Sequence, residues 1–141
     1  KILGHHMTTR QSLSAERSGV GISPAMKSVM GAFVTLKEGG ELRGCIGEMV
    51  PRRPLGDAVA ERVLHSAFHD HRFSALRPEE LDKVEIEISA LTPSKPVDSY
   101  KDILIGRHGM TVSKNGRSAV FLPRSPPNRA GLLRRPSPIF H

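Results

Sequence analysis

Cys45 is the only cysteine among 141 residues, and it lies in Leu42-Arg43-Gly44-Cys45-Ile46-Gly47, two residues after an arginine and between two glycines. A thiolate is a strong nucleophile once its pKa is lowered, and a nearby guanidinium is one way to lower it. Glycines on both sides leave room for a substrate, or for another stretch of backbone, to come close. The bland alternative is packing, because free cysteines are among the most buried residue types. A second candidate segment is Gly106-Arg107-His108-Gly109. Its imidazole could serve as base to the thiol, since a cysteine with a histidine is the smallest unit for nucleophilic catalysis. The same residues could equally hold an anion or make a structural turn. The expected site therefore has Cys45 and His108 in catalytic roles, with Arg43, Gly44, Gly47 and Arg107 in binding a small-molecule or peptide ligand. A non-catalytic adaptor, in which this patch docks a partner and Cys45 merely packs, is the competing class. Nothing in the spacing says that the two segments meet.

Other groups carry less. His65 and His69 stand four apart, a workable chelating spacing, with Asp70-His71 next to them. Cationic side chains also belong at a helix C-terminus for electrostatic reasons alone, so no metal or other cofactor is expected. Glu85 and Glu87 could share acid–base work, though on an alternating strand they read first as its solvated side. Arg52 and Arg53, with Arg43 and Arg107, could rim an anion site or be ordinary surface charge.

The elements that must position these residues are legible from periodicity. Gly31–Leu36 is rich in β-branched and aromatic residues and predicts a strand. Gly39-Gly40 predicts the turn after it, and residues 41–47 the returning arm. Strict alternation would put Arg43, Cys45 and Gly47 on one face, and Leu42, Gly44 and Ile46 on the other. Leu55, Val59, Val63 and Ala67, widened by Leu64 and Phe68, predict an amphipathic helix over 55–69, with Pro54 near its start. Residues 77–81 predict one further helical turn. Val84, Ile86, Ile88 and Ala90 alternate with Glu85, Glu87 and Ser89, which predicts a strand with the first set turned inward. Asn115-Gly116 predicts a hairpin joining 110–113 to 118–122. Hairpins outnumber crossovers, so the fold class is α+β with a mainly antiparallel sheet.

Composition bounds the rest. The length suits one compact domain. A lone cysteine excludes an internal disulfide and fits a reduced, cytoplasmic setting. No apolar run approaches the roughly 20 residues of a membrane span. Of the net charge of +7, four units come from Arg124, Arg129, Arg134 and Arg135 in a stretch without acids. The body is then only mildly basic, and nucleic acid is not the expected partner. Residues 1–6 read as a tag or vector remnant, 7–30 as a lead-in, 31–122 as the domain, and 123–141 as an atypical basic, Pro-rich tail.

The ordered motifs GAFVTL, ELRGCIG, PRRPL, HDHRF, LRPEEL, VEIEISALTP, GRHGM and FLP resemble the AMMECR family over residues 31–123. The resemblance implies two unequal subdomains and a cytosolic or nuclear protein. It implies no settled activity, and it points to Memo-like or radical S-adenosylmethionine proteins as partners. Relatives usually continue FLP with glutamine, an acidic residue, Gly-Trp and a terminal helix, whereas this chain continues with Pro123-Arg124-Ser125. A frameshift near Pro123 is the expected cause. Losing that helix would bare apolar sheet surface, at roughly 25 cal/mol per Å², and would favour a homodimer.

Overall fold

The computed structural model describes residues 1–9, 14–19 and 21–122; the tail and the frameshift reading lie outside them. The chain divides into two compact units, Lys1–Ser94 and Lys95–His141.

The first unit is a three-stranded antiparallel sheet with helices on one face. Strand β1 is Gly31–Glu38 and β2 is Glu41–Glu48; Gly39 and Gly40 join them at φ of 58° and 83°, values that glycine adopts cheaply. Strand β3, Val84–Leu91, pairs with the other side of β1, which gives the order β2-β1-β3. Helix α1 (Ile2–Thr9) and the short α2 (Pro24–Lys27) precede helix α3, Leu55–Phe68, which lies over β1 and β2 and buries Ala58, Val63, Leu64 and Ala67. Val63, Leu64 and Ala67 meet Val34 and Leu36 from β1, together with Leu76, in one core.

Three expectations change here. The opening residues are not idle: helix α1, Ile2–Thr9, packs on α3, and Leu3 is buried in the core beside Val63 and Leu64. The segment read as a remnant therefore carries part of the hydrophobic seal. Next, β2 holds a bulge. Leu36 pairs with Gly44 but Lys37 pairs with Leu42, so Arg43 is the extra residue. One inserted residue resets the alternation. Cys45 and Gly47 share the open face as expected, and Gly44 and Ile46 the helix face, but Leu42 joins Lys37 on the open side. Third, Ile86 and Ile88, which oppose Leu36 and Val34 across the ladder, are about half exposed. They do face the helix side, but α3 is centred on the other two strands.

In the second unit, β4 (Met110–Lys114) and β5 (Arg117–Phe121) form an antiparallel hairpin. Its turn is Asn115-Gly116, both at positive φ as a two-residue hairpin requires.

Candidate functional site

The two glycines beside Cys45 have structural employment. A Cβ on Gly44 would collide with the backbone of Ser66 on α3. Gly44 thus admits another backbone, the second of the two uses foreseen for it. Ser66 exploits the approach: its buried hydroxyl accepts the Ile46 N–H at 2.9 Å and donates to the Val34 carbonyl at 2.8 Å, stitching helix to sheet. Gly47 opposes Phe33, and a Cβ there would run into the Phe33 ring and the Ala32 carbonyl. The space beside Gly47 is filled by an aromatic side chain, not left for a substrate.

Arg43 has an acidic partner of its own. Thrown outward by the bulge, it pairs with Glu80, its Nε donating to Oε1 at 2.8 Å and Nη2 to Oε2 at 3.1 Å. Nη1 donates to the Ser74 carbonyl at 2.9 Å. Both side chains are largely buried. Glu80 also accepts the Arg77 N–H at 2.7 Å. The hydrogen bonds from Arg43 and from the Arg77 backbone hold the Glu80 carboxyl down to about 2.

The groups that do frame Cys45 come from the loop after α3. Asp70, almost wholly buried, accepts the Cys45 N–H at 2.9 Å. Arg72 grips the same carboxylate, Nε to Oδ1 at 2.9 Å and Nη2 to Oδ2 at 2.7 Å, and Nη2 also donates to the Cys45 carbonyl at 3.1 Å. The backbone of Cys45 is held at both its polar groups. The Arg72 guanidinium keeps the Asp70 carboxyl far below the usual carboxylate range. Cys45 is a partly exposed residue, and its thiol lies 3.3 Å from the hydroxyl of Thr35, its cross-strand neighbour. Thr35 in turn opposes Glu87 on β3, which forms an ion pair with Lys37. A thiol, a hydroxyl and a carboxylate therefore run across the open face in one row.

Asp70, Arg72, Glu80 and Thr35 were not singled out as site residues. The signal for the first three was the runs HDHRF and LRPEEL, which read as a helix end and a short turn. Arg53, proposed as part of an anion rim, is bonded to Glu61 and faces Glu48 at 3.6 Å. His65 Nδ1 meets an Arg62 N–H at 3.1 Å; burial first, then Arg62, lowers the His65 pKa. Among the described residues, no group of three His, Cys, Asp or Glu is placed to hold a metal ion.

His108 and Arg107 belong to the second unit. The His108 ring accepts the Leu104 N–H through Nδ1 at 3.2 Å, and the His108 N–H returns to the Leu104 carbonyl at 2.9 Å. With Nδ1 accepting, the neutral ring carries its proton on Nε2 and presents a donor. Arg107 is exposed.

Two ion pairs so close to β2 have a consequence for acid stability. Glu80 and Asp70 both titrate below their unfolded values, so their contribution is complete above about pH 4.5 and drains away as pH falls toward about 2. Urea midpoints should hold from about pH 7 to about pH 5 and then fall; Glu80→Gln should flatten the fall. A midpoint in wild type that is level down to about pH 3 would contradict this.

A sequence model of the AMMECR1 family matches residues 1–131. The chain belongs to the AMMECR1 family. Among similar proteins, one from Thermococcus gammatolerans is 39% identical over 113 residues, covering 73% of this chain and 55% of its own length. Another, from Methanopyrus kandleri, is 43% identical over 105 residues, covering 68% and 51%. The chain thus spans about half the length of the AMMECR1 relatives it matches. The crystal structure of an uncharacterized protein from Pyrococcus horikoshii superposes with a TM-score of 0.77 at 30% identity, over 86% of this chain and 64% of that one. It is similar in fold, which agrees with the α+β class. The family match begins at residue 1, in keeping with the core position of Leu3. No described helix is long and apolar enough to cross a membrane.

Proposed function

We propose that the open sheet face at Cys45 is a contact site for a small-molecule or peptide ligand, with the thiol as its reactive group. The observation that carries this reading is a thiol on a partly exposed residue whose backbone Asp70 and Arg72 hold at both N–H and C=O. A side chain kept only for packing does not need its main chain fixed so closely, whereas a contact group does. Arg72 is half exposed, and it takes the place first given to Arg43 as the cation beside the thiol. An anionic group on the ligand would meet it, the guanidinium offering further donors beyond those that Asp70 uses.

Iodoacetamide at neutral pH tests this. Native protein is expected to be labelled at Cys45 at least as fast as protein unfolded in urea. Slow labelling that accelerates only on unfolding would favour the adaptor reading, in which Cys45 packs. His108→Ala tests the catalytic pairing: slower labelling supports it, and an unchanged rate removes His108 from the site.

A further inference from the structure

A second set of charges joins the end of β2 to α3, away from the groups that hold Cys45. Arg53, in the segment 49–54 between the two elements, pairs with Glu61 of α3 and Glu48 of β2. Arg62 of α3 reaches the same two acids, Nη2 lying 3.2 Å from Glu48 Oε2 and 3.5 Å from Glu61 Oε2. Its Nη1 meets His65 Nδ1 at 3.1 Å. A guanidinium can only donate, so Nδ1 accepts and carries no proton in this arrangement. Two atoms are left over: among the described residues, Arg62 Nε and Glu48 Oε1 are buried without a hydrogen-bond partner. Arg43 on Glu80 and Arg72 on Asp70 show the completed form, each donating through Nε and Nη2 to both carboxylate oxygens. Arg62 is one hydrogen bond short of that form, with Nη1 engaged by His65.

We propose that His65 is a pH-operated latch on the segment 49–54, which holds Arg53 clasped while the ring is neutral and releases it when the ring takes a proton. A proton from solvent on Nδ1 turns an acceptor into a donor, so the bond from Arg62 is lost and two cations face each other. Arg62 then turns Nε onto Glu48 Oε1, a bidentate pair that satisfies both leftover atoms. The imidazolium takes Glu61, four residues before it on α3, the favourable order for an acid and a cation on a helix. Three cations now share two carboxylates, and one must give way. That one is Arg53, whose side chain is 37% exposed against 15% for Arg62, so water solvates it at least cost. The charged groups acting on His65 are Arg62, Glu61 and His69 of α3 and Arg53 of the segment; burial first, then Arg62, places its titration below the ordinary value. With the folded value depressed, stability declines gently as pH falls below that ordinary value, a small slope beside the fall that Asp70 and Glu80 produce. The latch is independent of the chemistry of Cys45.

Nuclear magnetic resonance from about pH 7.5 to about pH 5, above the ordinary range of glutamate, tests it. Two signals are followed in one sample: the His65 ring C–H shift, and the heteronuclear NOE of the Arg53 Nε–H, which reports whether that side chain is held. The Arg53 signal is expected to lose its rigidity over the same pH interval in which His65 titrates. His65→Gln keeps an acceptor for Arg62 but takes no proton, and should leave Arg53 held throughout. His65→Lys carries its charge at every pH in the range and should leave Arg53 mobile even at about pH 7.5. An Arg53 that stays rigid while His65 is protonated would overturn the proposal, and so would an Arg53 that loosens equally in His65→Gln. The coincidence of the two wild-type titrations decides the matter even if a variant fails to fold.

Discussion

Gly44→Ala is expected to destabilise the first unit by about 3 kcal/mol or more, read as a lowered urea midpoint. The added methyl would be driven into the Ser66 carbonyl. Both parties are backbone, so no rotamer change relieves the clash. Relief requires α3 to rise off β1 and β2, and the Ser66 hydroxyl would then lose the Ile46 N–H and the Val34 carbonyl together. Val63, Leu64 and Ala67 leave the core with it. The matched control is Gly21→Ala, where a Cβ meets nothing within 4 Å; it should change stability by no more than about 0.5 kcal/mol. Equal midpoints for the two variants would mean that helix and sheet are not in the contact described.

Asp70→Ala carries the second large effect, about 2–3 kcal/mol. The carboxylate is buried and receives the Cys45 N–H, the Arg72 N–H and the Arg72 guanidinium. Without it the Cys45 amide loses its acceptor and Arg72 its counter-charge. Because Arg72 is half exposed, water restores part of its solvation, and the figure stays below that for a fully buried pair. Asp70→Asn keeps an oxygen for the Cys45 amide and gives up only the charge, so it should fall between wild type and alanine. The effect has a second readout. If Asp70 and Arg72 position the thiol, iodoacetamide labelling of Cys45 in native protein should change in the alanine variant at pH 7, where the fold persists. Loss of stability with unaltered labelling would leave Asp70 a purely structural role and weaken the ligand-site reading.

Most elements were legible because their signals are local. Gly39-Gly40 and Asn115-Gly116 name their turns through the conformations that only such residues adopt readily. The four-residue spacing of Leu55, Val59, Val63 and Ala67 marks a helix whatever it packs on. The alternation in 84–90 marks a strand equally well, yet it misjudged burial. Which strands a helix covers depends on where the helix lands, and α3 lands on β1 and β2. The bulge at Arg43 was invisible for a similar reason: an extra residue in one arm of a hairpin is decided by how both arms and the loop beyond them pair. Leu3 was overlooked because residues 1–6 read as a tag or vector remnant, and only its neighbours on α3 make it core.

The site divides along the same line. By itself the sequence determined that this chain has one thiol, in a strand, two residues from an arginine and flanked by glycines, and that it belongs with proteins sharing those motifs. Tertiary structure alone decided what the glycines admit, that Arg43 is spent on Glu80, and that Asp70 and Arg72, more than 20 residues downstream, hold the backbone of Cys45. Side-chain type and short-range spacing are encoded residue by residue. The partner of a charge or a hydrogen bond is whichever group the folded chain brings within about 3 Å, and that distance exists only once the sheet and helix have packed.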